Sequence, residues 1–283
     1  MKKAFFLVFI SILMIGIKLN VKGQVLEAPP RDGVFDKMVI SQMQPIPYSP
    51  VREVDVIWSK RLWRTIDLRE KINQPFYFPL TAQNGWRSFM QILMDALKEG
   101  SIQAYSDLSD QFLYPITYKE IMDKVETSKK ETLKRPETEQ EFDTVITIHF
   151  NPSDVYKILL KEDYFFDRQR SVMEVRILGI CPLKATYDEK GEYIGDKQLF
   201  WIYFPECRNI FARSQQFNLH NGAAARLSYD DVFMKRLFNS YITKEENVYD
   251  RQINQYAVGV DALIESDRAK NSLLEFEESL WEY

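Results

Sequence analysis

Residues 171–204 decide the fold class, and they read SVMEVRILGICPLKATYDEKGEYIGDKQLFWIYF. The part from 171 to 181 is rich in apolar and β-branched residues, which predicts a strand. Residues 187–193 (YDEKGEY) have a composition typical of a hairpin turn. Residues 199–204 (LFWIYF) form a continuous apolar run, which predicts a strand near the centre of a sheet. Because a hairpin joins antiparallel strands, the sheet is not purely parallel.

Helix and strand signals alternate on both sides of this hairpin. Capping boxes begin at Thr117 and Ser228, and Asn84 is expected to cap a helix with an apolar stripe. Residues 144–150 alternate as a strand does, and the NPS sequence at 151–153 predicts a helix that extends to about 161. The sequence therefore predicts an α+β fold, with a mixed or antiparallel sheet, interspersed helices and an extended N-terminal arm.

The chain is expected to have four regions. They are a signal peptide (1–23), a proline-bearing extended arm (24–50), an α+β core (51–265) with a charged excursion near 127–143, and an acidic amphipathic C-terminal tail (266–283). Lys2 and Lys3 precede an apolar run over 4–17, the pattern of a secretory signal peptide, and that run is too short to span a membrane. Cleavage after Gly23 removes four Lys and no acid, which changes the formal net charge from −4 to −8.

The arm combines prolines with apolar side chains. Five prolines fall between residues 29 and 50, so this segment cannot form a helix or a central strand. The apolar residues between them suit a strap that docks on its own domain or on a neighbour, and a flexible leader is the alternative. The candidate contact residues of the arm are Val34, Phe35, Met38 and Ile40.

Composition excludes several function classes. The chain has 37 Lys and Arg against 41 Asp and Glu, so it has no basic excess for tight binding of nucleic acid. It has two His and two Cys, which argues against zinc-finger, iron–sulfur and disulfide-scaffold proteins. We expect His149 and His220 to be structural rather than catalytic or metal-binding. No phosphate-binding loop, nucleophile elbow or dinucleotide fingerprint is present, so no cofactor and no catalytic residue is predicted.

The two cysteines are expected to stay free. If the hairpin turn is centred near residues 189–190, Cys181 lies opposite about residue 199 and Cys207 opposite about residue 173. That register separates the cysteines by about 26 Å, whereas a disulfide needs Cα atoms within about 7 Å. A disulfide between Cys181 and Cys207 is the alternative, if the second strand ends early and the chain folds back.

The most distinctive segment is WSKRLWRTIDLREKIN at residues 58–73. If it is helical, Trp58, Leu62 and Ile66 form one apolar stripe that faces the core. The basic side chains off that stripe would then contact an acidic partner, with a solvated charged face as the alternative. The candidate contacts are Lys60, Arg61 and Arg64.

This segment resembles the GldN/PorN family of the type IX secretion and gliding-motility apparatus. Further similarity lies in LFWIYFPECR at 199–208, RLSYDDVF at 226–233 and FNSYITKEENVYDR at 238–251. The resemblance implies a non-catalytic periplasmic protein that assembles into rings with an outer-membrane lipoprotein, GldK/PorK. It also implies contact with the periplasmic part of the GldL/GldM (PorM) motor, and a membrane location only through partners. From the residues alone, a periplasmic hydrolase with dispersed carboxylates and a periplasmic ligand-binding module stay open.

Overall fold

A computed structural model describes residues 42–83, 85–134, 141–148, 150–188, 191–217 and 226–280. The signal segment, most of the arm with Val34, Phe35, Met38 and Ile40, and both histidines lie outside the described residues.

One large antiparallel sheet forms the framework. Its strands are β1 (Val56–Asp67), β2 (Ala104–Tyr105), β3 (Pro115–Ile116), β6 (Val155–Asp167), β7 (Val172–Tyr187), β8 (Tyr193–Gln198), β9 (Trp201–Tyr203) and β10 (Tyr241–Glu245). The strand order is β10-β1-β6-β7-β9-β2-β3, and β8 pairs with β7 beside this path. Strands β4 (Thr127–Lys134) and β5 (Glu141–Ile148) form a separate two-stranded sheet, so the charged excursion near 127–143 lies largely in a hairpin.

Within the described ranges, six helices accompany the sheet. They are α1 (Gln74–Tyr77), α2 (Phe89–Lys98), α3 (Tyr118–Val125), α4 (Phe204–Arg213), α5 (Tyr229–Met234) and α6 (Val260–Ser279). The α+β fold with an antiparallel sheet is thus confirmed. The capping boxes at Thr117 and Ser228 are confirmed. In each, the capping side chain accepts from the backbone N–H of the third residue of the helix, and the side chain of that third residue accepts from the backbone N–H of the capping residue. Helix α2 is capped by Ser88, not by Asn84.

Two segments with a helical pattern, one considered as a helix and one predicted as a helix, are strands. Residues 58–73 contain most of β1, and the NPS sequence starts only a 3₁₀ turn (Pro152–Asp154) before β6 begins. Leu62 and Ile66 are fully buried as expected, but their spacing of four fits one face of a strand as well as one face of a helix. Both faces of β1 are buried over residues 62–66, and both faces of β6 over residues 158–162, so these stretches show no alternation of buried and exposed side chains.

Alternation along β6 divides the hydrophobic core. Ile158 and Leu160 face the main cluster, which the aromatic side chains of α2, α4 and α5 fill. Leu159 faces the opposite side, where it packs with Trp63 and Trp201. The apolar run at 199–204 is interior as expected but short as a strand, because α4 begins at Phe204 with Pro205 in its first turn.

Helix α6 covers the outer edge of β10. The backbone N–H of Ile242 donates to Ser266 Oγ at 2.8 Å. A side chain of the helix thus accepts a hydrogen bond from a backbone N–H of the edge strand. Phe276 stacks on Trp58 with ring centroids 4.4 Å apart. The tail is helical through Ser279 and packs on the domain. In the part of the chain that is described, no helix has the length and apolarity that a membrane span requires.

Candidate partner-binding site

The basic residues of β1 have partners within the chain. Lys60 Nζ lies 2.7 Å from a Glu245 oxygen, and Arg61 donates to both oxygens of Asp163 at 2.6 and 2.9 Å. On a strand, Lys60 and Arg64 face one side of the sheet and Arg61 faces the other. Lys60 and Arg61 keep part of their side chains exposed, and their contact with a partner stays a prediction.

Arg64 belongs to a buried ionic cluster instead. Its residue is 8% exposed, and its Nε lies 3.3 Å from Glu162, which is fully buried. Arg236 donates two further hydrogen bonds to the Glu162 carboxylate, at 2.9 and 3.1 Å. Tyr164 packs about equally far from both guanidinium groups, at 5.9 and 6.0 Å, and burial raises the pKa of its phenol. The expectation that Arg64 contacts a partner therefore gives way to a structural role.

A groove runs along the sheet face opposite the main core. It consists of two adjoining cavities of about 590 and 680 Å³, which share Leu159, Gln198, Thr243 and Gln252 in their linings. The floor comes from β1 and β6, one wall from β8, and the other wall from β10 and the residues that follow it. The larger cavity is lined mainly by apolar and aromatic side chains, and the smaller one mainly by charged and polar side chains.

The loop between β2 and β3 closes the polar end of this groove. Asp110 accepts a hydrogen bond from Trp63 Nε1 at 2.8 Å, and its backbone oxygen accepts from Lys161 Nζ at 2.7 Å. Lys161 is 4% exposed, and burial lowers the pKa of its ammonium group. Trp201, also in this lining, is 1% exposed, and its indole N–H has no hydrogen-bond partner among the described residues.

Gly179 has no side chain, so the Phe112 ring of this loop can pack closely against the backbone of β7. A Cβ there would lie 2.6 Å from Phe112 Cζ and 3.1 Å from Trp201 Cε3. We expect Gly179→Ala to reduce the free energy of unfolding by about 1–3 kcal/mol, because the Phe112 ring must move. Thermal unfolding measures this, and Gly195→Ala in β8, where a Cβ meets nothing within 4 Å, is the control. Equal melting temperatures for the two variants would contradict the close approach.

The end of the arm is anchored on the domain. The Tyr48 ring lies between two guanidinium groups, 4.4 Å from Arg208 and 5.0 Å from Arg176. Arg208 is itself fixed by two hydrogen bonds to Asp230, at 2.8 and 3.0 Å, and both residues are buried. Arg176 also donates to the backbone oxygen of Ser49. Burial raises the pKa of Tyr48, so the ring is neutral at physiological pH.

The anchor contains residues whose role the sequence analysis missed. Arg208 and Asp230 lie in the segments 199–208 and 226–233, which carry the family resemblance, but sequence spacing does not show that they pair. The signal in the sequence was an arginine in one of these segments and an aspartate in the other, and the structure shows that both are buried as a pair.

Cys181 and Cys207 are free and buried. Burial raises the pKa of both thiols, that of Cys207 to about 12. We expect neither thiol to react with a thiol reagent at pH 8 until the chain unfolds, when both react. Because the folded pKa is raised above the exposed value of about 8.5, the stabilisation by the protonated thiol is complete below that pH. It is lost as the pH rises toward about 12, through the folded pKa of Cys207. Reaction of either thiol in the native protein would contradict this burial.

The comparison with protein families identifies the chain. The family described as "Gliding motility associated protein GldN" matches residues 51–282. Since this match covers most of the sequence, the chain belongs to the GldN family, a component of the gliding-motility and type IX secretion machinery. The suspected resemblance is thus confirmed. No curated protein gives a significant match to the chain.

Proposed function

We propose that this protein is a non-catalytic periplasmic ring subunit of the type IX secretion and gliding machinery. In this proposal it assembles with an outer-membrane GldK/PorK-like lipoprotein and contacts the periplasmic part of a GldM/PorM-like motor protein. Membership of the GldN family over residues 51–282 is the observation that carries the proposal. The signal segment 1–23 would direct export, and the lipoprotein would hold the chain at the outer membrane.

The surface of the domain supports an assembling subunit. Large apolar side chains stay exposed near the open end of the groove, among them Ile194 at 66%, Val258 at 80% and Leu263 at 56%. Exposed apolar side chains that line one cavity, as these three do, suit protein–protein contact. The charged groups at the polar end engage each other, as Lys244 and Asp250 do at 2.5 Å. Such paired charges suit the rim of an interface.

Cell fractionation tests the location and the lipoprotein partner together. We expect the chain to sediment with outer membranes in cells that contain the lipoprotein. In cells without the lipoprotein, the chain should move to the soluble periplasmic fraction, because the chain has no anchor of its own in this proposal. Recovery of the chain in the outer-membrane fraction of both strains would contradict attachment through the lipoprotein, and recovery in the cytoplasm would contradict export.

A further inference from the structure

The groove has an open strand edge along one wall. Strand β8 pairs with β7, and within the described ranges no strand pairs with its other edge. An unpaired edge presents backbone N–H and C=O groups that can pair with a further strand. Beside it, Leu183 and Ile253 line the apolar cavity together with the exposed Ile194. An extended peptide could therefore both pair with β8 and place apolar side chains in this cavity.

The polar end of the groove is lined by a residue with a buried hydrogen-bond donor that lacks an acceptor among the described residues. The Trp201 indole N–H is buried there, no residue in the described part of the chain accepts from it, and a buried donor without a partner costs free energy. A peptide carbonyl is a hydrogen-bond acceptor, which is the kind of group that the Trp201 indole N–H lacks among the described residues. The free edge of β8 thus indicates an extended polypeptide segment as the occupant, and the buried Trp201 indole N–H is a further donor in a residue that lines the polar end.

We propose that the occupant is residues 34–40 of a neighbouring copy of this chain. The inference rests on the proposed function, since it specifies how copies associate in a ring. Between Pro30 and Pro45 the arm contains no proline, so every residue there can donate to a strand edge. Residues 34–40 (VFDKMVI) carry five apolar side chains and span about 23 Å when extended, close to the roughly 20 Å of β8.

The arm anchor fixes one end of the arm on its own domain. Ser49 lies at β7, and Tyr48 lies one residue nearer the N-terminus, against Arg208 of α4. The buried residues of α4 fill the main core, on the face of the sheet opposite the groove. The described end of the arm, at Tyr48 and Ser49, thus contacts its own domain, and residues 34–40 in the groove of the next copy would link the two domains. Contact of one surface with a different surface of the next copy is the arrangement that generates rings.

Cysteine cross-linking between copies tests this placement. Full chains with Val39→Cys are mixed with full chains with Ile194→Cys under mild oxidation, and we expect a covalent dimer. The matched control is Ile72→Cys, because Ile72 is an isoleucine of similar exposure (57% against 66%) outside the groove, and it should give no dimer. The two mixtures are Val39→Cys with Ile194→Cys and Val39→Cys with Ile72→Cys. Equal amounts of dimer in the two mixtures, or no dimer in either, would overturn the proposal. So would a disulfide within one chain of a double variant that carries both Val39→Cys and Ile194→Cys.

Charge substitution gives a second, independent measurement. We expect Ile194→Asp to weaken self-association by at least roughly tenfold in sedimentation, while Ile72→Asp leaves it unchanged. Melting temperatures of both variants should match the unaltered chain, since both side chains are exposed. Equal association of the two variants would overturn the proposal. If the unaltered chain still binds the lipoprotein in that case, the proposed function stands and only the site of the arm is wrong.

Discussion

Replacing Glu162 by alanine is expected to cost about 3–5 kcal/mol of the free energy of unfolding, enough to unfold much of the protein at growth temperature. The Glu162 carboxylate is fully buried and holds two guanidinium groups, those of Arg64 and Arg236. Its removal leaves buried positive charge without a counter-charge, which is more costly than the loss of the attraction alone. Chemical denaturation with far-UV circular dichroism measures the change.

A matched surface pair provides the control for this prediction. Glu245 pairs with Lys60 at 2.7 Å, but both side chains are partly exposed, so Glu245→Ala should cost roughly 0–1 kcal/mol. Glu162 and Glu245 are the same residue type and lie on two strands that both pair with β1, so the two substitutions are well matched. A cost for Glu162→Ala no greater than that for Glu245→Ala would contradict the role of the buried cluster.

Deleting residues 24–41 is expected to leave a folded domain that no longer assembles. This deletion retains Tyr48 and its two arginine contacts, so the melting temperature should stay close to that of the full chain. Assembly should be lost, because the deletion removes residues 34–40, which supply the proposed contact between copies. Sedimentation and a thermal melt on the same sample measure both quantities.

A longer deletion separates the arm from its anchor. Removing residues 24–50 also removes Tyr48 from between Arg176 and Arg208, and we expect it to lower the melting temperature as well as abolish assembly. If the shorter deletion unfolds the domain, the arm belongs to the core. If it assembles normally, the arm is only a leader and the proposed contact between copies is wrong.

Local signals predicted the elements whose chemistry is local. The capping boxes at Thr117 and Ser228 and the hairpin of β7 and β8 need residues within a few positions of each other, and the structure confirms all three. A helix over residues 58–73 was consistent with the sequence because Leu62 and Ile66 are four residues apart, a spacing that fits one face of a helix and one face of a strand. A strand buried on both faces removes the alternation that would have decided between them.

The candidate site depended on contacts that sequence spacing does not show. The basic residues of β1 stood out as charges, but their partners come from β6 and β10, far along the chain. Glu162 and Arg236 are 74 residues apart in the sequence, a bulge in the pairing of β6 with β7 lies at Lys161 and Glu162, and Arg236 has a positive φ of 53° after α5. Neither feature follows from residue type, so the sequence could not separate the buried Arg64 from the partly exposed Lys60 and Arg61.

Co-purification with the lipoprotein tests the central claim most directly. The full chain, tagged at its C-terminus and extracted from cells of its own host, should elute with a GldK/PorK-like lipoprotein as a complex with several copies of each protein. The mass of that complex, measured by light scattering, should be many times that of the 33.5 kDa chain. Elution of the chain as a lone monomer, with the lipoprotein present in the same extract but unbound, would contradict a ring subunit.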